Sequence, residues 1–436
     1  MNFSLNRKHR PVSAVVLAMG TGALLALAGC AGSSGSSASA ASPNHKVTIT
    51  FWNSYNETDQ EVHEVTKVLI PKFEKENPGI TVQNVTLPET NMNEKIITDA
   101  AGGQLPDVAR VDIAWEPVFA GLHILVPENN LDGYSALSKE VYPGSLSTNK
   151  YQGSMYGLPL DTNTKVLFSN TKLLAEHGIK EPPSTMSQFV TDIKECTSGS
   201  GADKVYGFID GAGTDIWGTI PWIASFGGSI TNKALDSASG HLNSTATLEG
   251  LGTLVNLEKE GYVTGLLPGA TGDLVGMADN KFCMMDEGPW EIPTAQTTYP
   301  NLQYKLSLFP TGPGGSREPV GGEDIAIFHT DAAHQAAAWK FEQFMLTPTA
   351  QADMQDVGQL SVLENLPTSD ISSAENYIKI FDKQLRTAVA RPPVPKYNQI
   401  DTDLGNAVAL AAQGKGTIAQ NIDAVLPEIN SLLAQK

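Results

Sequence analysis

At 436 residues, 41% of them hydrophobic and 17% charged, the chain is long enough to bury a large core and to form two or more domains or lobes; a disordered or fibrous protein is excluded. The formal net charge is −18, and no compact Lys/Arg cluster offsets it, which works against binding nucleic acid or an anionic lipid surface.

The chain begins with a basic stretch, NRKHR at residues 6–10, then an apolar run over 12–27 and the ending Leu27-Ala28-Gly29-Cys30. Gly20, Thr21 and Gly22 interrupt the run, which argues against an uncleaved membrane span. Residues 1–29 resemble a bacterial lipoprotein signal peptide, cleaved before Cys30, whose thiol then receives a diacylglyceryl group. Lipidated Cys30 and the Gly/Ser/Ala tract to residue 43 would form an anchor and flexible tether, with no transmembrane helix. Loss of Arg7, Lys8 and Arg10 leaves a net charge of −21. Of the thiols that remain, Cys283 sits in the apolar run Phe282-Cys283-Met284-Met285. Export permits a disulfide with Cys196, but a buried strand favours two free thiols.

Val47 to Trp52 alternates like a strand and enters the polar loop NSYNETD. A helix follows, with Val62, Val65, Leu69 and Phe73 on one face, Pro71 breaking or kinking it and Asn77-Pro78-Gly79 ending it. Residues 80–85 form the next strand, so the start reads as a βαβ unit with functional loops at the carboxyl ends of its strands. A helix over 91–101 precedes a strand over 105–112 that ends in Asp112-Ile113-Ala114-Trp115.

The chain is organised around residues 151–176, YQGSMYGLPLDTNTKVLFSNTKLLAE: a Gly-bearing turn, an extended pre-proline residue, the polar DTNT, a strand-like VLF and a helix start. Residues 158–170 read as a strand crossing between two lobes, its polar stretch at the floor of a cleft. Farther on come a helix from Met186, the Gly/Asp-rich loop GAGTDIWG before an apolar helix, a strand ending in DEGPW, and a loop over 310–318. A strand IAIF starts beyond Asp324, and helices run to the C-terminus.

The order of FWNSYNETD, LPDVARVDIAWE, GSMYGLPLDTNTKVLFSNTKLL, WIASFGG, FCMMDEGPW, FPTGPGG with VGGEDIAIF, AAWKFEQFM and ARPPVP resembles the extracellular solute-binding proteins of bacterial ABC importers, the maltose-binding-like group above all. The resemblance spans nearly all of the mature chain. It implies an α/β fold, a two-lobe periplasmic-binding-protein-like clamp with several inter-lobe crossings, near residues 158–163, 321–325 and 360–367. Lobe 1 would comprise 44–160 plus 323–362, and lobe 2 161–322 plus 363–436. It further implies a monomer that captures a sugar or oligosaccharide outside the cell, closes on it and delivers it to membrane permease subunits, with no cofactor and no metal.

A sugar has hydroxyls at its edge and weakly polar C–H faces, so its site needs aromatic plates flanked by carboxylates and amides. Trp115, Trp217 and Trp290 follow strands in polar or Gly-bearing loops, and the resemblance places Trp217 and Trp290 at stacking positions. Asp112, Asn163 and Asp215 are the polar partners, with Asn53, Tyr55 and Asp161 behind them and Glu57 and Glu323 as further candidates. Trp222 and Trp339 belong in the core by their helical spacing, and Trp52 fits either role. Arg391 either faces the cleft or pairs with surface acids.

A glycoside hydrolase would use paired carboxylates in a cleft, but Asp286 and Glu287 are adjacent on a strand and point to opposite faces. The chain has no H-E-x-x-H, G-x-S-x-G or P-loop motif, and its eight histidines lack metal-ligand spacing. The other binding reading is glycerol 3-phosphate or its diesters. Phosphate wants cations in the cleft, and Lys165 and Arg110 are expected to point away from it. The first loop, Asn53-Ser54-Tyr55, departs from the maltose binder and leaves the identity of the sugar open.

Overall fold

The computed structural model describes residues 46–55, 60–211, 213–366 and 375–435. The signal segment, Cys30, the tether, Glu57 and the end of the expected third crossing lie outside them. Among the described residues no helix is long and apolar enough to cross a membrane.

The first strand, β1 (Val47–Asn53), leads to helix α1, which runs Gln60–Glu64, makes a π-helical turn over Val65–Leu69 and resumes as Ile70–Glu76. Pro71 therefore does not end the helix: the widened turn just before it absorbs the lost N–H. Strand β2 (Ile80–Thr86), helix α2 (Glu89–Gly102) and strand β3 (Val108–Asp112) complete the opening unit. Both β2 and β3 pair with β1 in parallel, as a βαβ succession dictates.

Strand β4 (Leu158–Asn163) is buried along its whole length. Its apolar Leu158 and Leu160 join the core below, so the period of two turns Asp161 and Asn163 to the other face. The chain then enters a second sheet through β5 (Val166–Asn170), helix α3 (Met186–Cys196), β6 (Phe208–Ile209), helix α4 (Ile216–Ser225), β7 (Val263–Thr264), β8 (Met284–Glu287) and β9 (Tyr304–Ser307), in spatial order β9-β5-β8-β6-β7.

It returns through β10 (Pro319–Ile327), a single strand where a loop residue run and a shorter IAIF strand were expected. A register shift between Glu323 and Asp324 lets it stay in the sheet, antiparallel to both β3 and β4. Beyond helix α5 (Ala332–Met345), Leu360 bridges Thr162 of β4, so the three expected crossing segments lie side by side. Strand β11 (Val389–Ala390) then joins β10 in parallel, and helices α6 (Tyr397–Ala412) and α7 (Ile418–Leu433) close the fold. The result is a two-lobe α/β architecture.

Each lobe has its own aromatic core. Phe51 of β1 and Phe73 of α1 both stand 5.1 Å from the Phe341 ring of α5, which clamps two helices to the first sheet. On the other side Trp222 of α4, fully buried, packs against Phe189, Phe208 and Phe309. The two cysteines are not free thiols: Cys196 at the end of α3 and Cys283 just before β8 form a disulfide, their Cα atoms 6.4 Å apart. Apolar surroundings describe a buried half-cystine as well as a thiol, which is why the sequence context pointed the wrong way.

Candidate functional site

A cavity of about 680 Å³ is lined from both sheets. From the first sheet come Tyr55 after β1, Arg110 and Asp112 of β3, Trp115 beyond them and Glu323 of β10; from the second come Asp215 and Trp217 at the start of α4, and Glu287 and Trp290 after β8. Asn163 at the end of β4 and Gly321 of β10 lie where the strands cross.

The indoles are held by backbone that leaves room for them. At Gly321 a Cβ would stand 2.1 Å from Asn163 Oδ1 and 2.5 Å from the Trp217 ring, so only glycine lets that ring reach β10. At Gly288 a Cβ would lie 2.1 Å from the Trp290 ring. Trp217 is set by the cap of its helix: Asp215 Oδ1 accepts the Gly218 N–H at 2.7 Å, and Asp401 of α6 accepts the Ile216 N–H at 2.6 Å. Trp115 is 8% exposed and packs edge-on to Phe119, so it offers the cavity less of its surface than the other two.

Arg110 and Arg391 face the cavity, and both arrive with carboxylates. Arg110 Nε is 3.0 Å from Asp161 Oδ2, its Nη2 is 2.5 Å from Glu323 Oε2, and its guanidinium lies 4.3 Å from the Tyr55 ring centroid. Arg391 Nη2 lies 2.7 Å from both Asp112 oxygens, and its guanidinium stands 5.0 Å from the Trp217 ring centroid. Burial pushes Glu323 well above the usual carboxylate range; Arg110 offsets this only in part and Asp161 adds to it. Burial, then the neighbouring Asp401, raises Asp215 to about 7 against the opposing Gly218 N–H. Burial and then Asp273 raise Glu287.

Of the residues singled out from sequence, Tyr55, Asp112, Trp115, Asn163, Asp215, Trp217, Trp290 and Glu323 share this cavity. Asn53 and Asp161 do not line it. The Asn53 amide is taken up beside β2, donating to Asn84 Oδ1 at 2.7 Å and accepting from Thr86 Oγ1 at 3.2 Å, while Asp161 stands behind Arg110. Trp52 is buried in the core, as are Trp222 and Trp339. Lys165 is buried against Asp286 at 2.5 Å, whereas Glu287, the next residue, turns to the cavity.

Arg110 corrects the expectation that it points away. It lies two residues before Asp112 on the same strand, so the period of two puts both on one face; that signal was present in the sequence. Arg391 pairs with a buried acid rather than a surface one. The contribution of α6, with Tyr397 and Asp401 one helical turn apart, had no local signal.

Fold and cavity together define a two-lobe binding protein. The chain belongs to the bacterial extracellular solute-binding protein family, which matches residues 59–352. It is similar to the multiple sugar-binding protein of Streptococcus mutans, 28% identical over 337 residues covering 72% of this chain and 75% of that one. It is also similar to the galactooligosaccharide-binding protein of Bacillus subtilis, at 23% identity with 84% and 86% covered. Among solved structures it shares its fold with the GacH receptor of Streptomyces glaucescens, solved unliganded and with acarbose, at a TM-score of 0.77 and 23% identity, covering 88% of this chain and 99% of that one.

Proposed function

We propose that this protein captures a sugar or oligosaccharide outside the cell and hands it to the permease of an ABC importer. The observation that carries this reading is the shared cavity, where indoles from both sheets stand among amides and carboxylates, the surface that a polyhydroxylated ring with C–H faces needs. The family membership and the sugar-binding names of two relatives support it. Trp217 and Trp290 act as stacking plates, with Trp115 at the edge. Asp112, Asn163, Asp215, Tyr55 and Glu323 bond hydroxyls, and Asn53 and Asp161 hold the strands and Arg110 in place.

Lobe 1 is residues 44–160 plus 323–362, and lobe 2 is 161–322 plus 363–436. A ligand touching both is fully contacted only when they close, so it shifts the population toward closure. Lipidation of Cys30 keeps the monomer at the membrane surface near its permease. A glycerol phosphate is disfavoured because both cavity arginines are already paired with carboxylates.

Thermal melts of the protein against mono-, di- and oligosaccharides plus glycerol 3-phosphate test this. A sugar at about 100 times its dissociation constant adds roughly 2.7 kcal/mol of stability, a visible rise in melting temperature. A shift with glycerol 3-phosphate alone would overturn the sugar reading.

A further inference from the structure

The cavity's charge is out of balance in a way that a neutral sugar does not answer. Among the described residues lining it are nine carboxylic acid side chains and two guanidinium groups. The two arginines are taken up by Asp112, Asp161 and Glu323. Glu89, Asp215, Glu287 and Asp401 line the same space, and among the described residues none of them has a cation within ion-pair distance.

The surplus is one of acceptors. Asn163, 4% exposed, presents an Oδ1 with no hydrogen-bond donor among the described residues. Asp215, Glu287 and Asp401 are half-buried and Glu89 is exposed, so the wall keeps acid groups within reach of a ligand that brings donors and positive charge. An ammonium group supplies three donors and no acceptor, whereas a hydroxyl brings one donor and more acceptors. The acids lie beside a surface that already accommodates a cation: Asp215 and Asp401 flank Trp217, whose ring has the Arg391 guanidinium 5.0 Å from its centroid. No set of three or more His, Cys, Asp or Glu among the described residues is arranged to hold a metal ion, so the balancing charge is not assigned to a bound metal.

We propose that the ligand is a cationic sugar, an amino sugar or an oligosaccharide containing one, whose ammonium group is received by Asp215 and Asp401 beside Trp217 while its ring stacks on the indoles. This rests on the sugar-binding reading and narrows it. The net charge of −18 favours encounter with such a ligand at low salt.

The test is calorimetric titration with matched sugars that differ only at C2 of each ring: glucosamine, glucose and N-acetylglucosamine, and the corresponding β-1,4 disaccharides chitobiose, cellobiose and diacetylchitobiose. The expected result is that the free amine binds about 10-fold or more tightly than its hydroxyl and acetamido counterparts, the range of one charged hydrogen bond. That advantage should shrink severalfold as salt rises from about 50 to 500 mM. In Asp401→Asn and Asp215→Asn, which keep an oxygen to accept the same backbone N–H groups, the ratio of amine to hydroxyl affinity should fall toward one. Equal or tighter binding of the neutral member in every pair that binds overturns the cationic preference and leaves the sugar reading standing. Binding of spermidine with no response to any sugar, here or in the wider melt panel, overturns both.

Discussion

Two groups of acids in this molecule teach different lessons. Beneath the first sheet, Glu116, Glu128, Asp324 and Glu342 are all fully buried. Their partners are one another, Asn149, which donates to Glu116 Oε2 at 3.0 Å, and the Ile327 N–H, which donates to Glu128 Oε1 at 3.1 Å; none has a cation in ion-pair distance among the described residues. Burial is the first cause that raises Glu128 to about 8 and Asp324 to about 7, and it also pushes Glu116 and Glu342 well above the usual carboxylate range. Around the cavity the same side chains meet arginines, indoles and open space. The chemistry is common to both groups, and what differs is the neighbour: a sealed acid meets only protein groups, while an acid at a cavity wall is available to a ligand.

The largest effect should come from breaking the charged part of the cavity wall. Arg110→Met leaves Asp161 and Glu323 buried without their cation and should cost about 3–5 kcal/mol in urea unfolding. Glu342→Gln in the sealed group replaces an acid that has no cation beside it among the described residues, and whose burial disfavours its charged form, by an amide of the same shape, and should cost less than about 1 kcal/mol at neutral pH. Equal losses would erase the distinction between the two groups.

A smaller effect is expected from Trp217→Ala, which removes a plate but leaves the Arg391–Asp112 pair in place. Sugar affinity should drop about 30-fold, or roughly 2 kcal/mol, while the unfolding midpoint stays close to that of the parent. A lost midpoint with unchanged affinity would make Trp217 a core residue.

The smallest and most specific effect is on pH dependence. Glu128 titrates near 4.5 when unfolded and near 8 when folded, so between those values the native protein holds the extra proton. Its contribution is intact below about pH 4.5 and is lost as pH rises through 8, so stability falls over that window. Melts of Glu128→Gln from pH 5 to about 8.5 should show a shallower fall than the parent. An unchanged slope would mean that Glu128 does not hold that proton.

The division into two α/β lobes was legible because it rests on local patterns: the alternation of Val47 to Trp52, the helical spacing from Val62 to Phe73 and the polar break in Leu158 to Asn163. The cavity residues that follow a strand end, such as Asp112 and Trp290, were legible for the same reason. Asp161 and Asn53 were misplaced because sequence shows a polar side chain but not the strand that satisfies it. Asp401 enters the site only through the return of the C-terminal segment, a contact of high sequence separation that no local pattern announces, whereas for Arg391 the cleft was one of two readings and its buried partner Asp112 could not be read. The Cys196–Cys283 bond was missed for the same reason, since it depends on how α3 lies against the strand carrying Cys283.

The central claim is that one cavity, walled by Trp217 and Trp290, receives a sugar ring. Tryptophan fluorescence during titration with the sugar that gives the largest melting shift tests it most directly. The account predicts a saturable change that follows binding and is largely lost in the Trp217→Ala, Trp290→Ala double variant. A sugar that raises the melting temperature while the double variant still binds it and shows the same fluorescence change would place the ligand elsewhere and contradict the account.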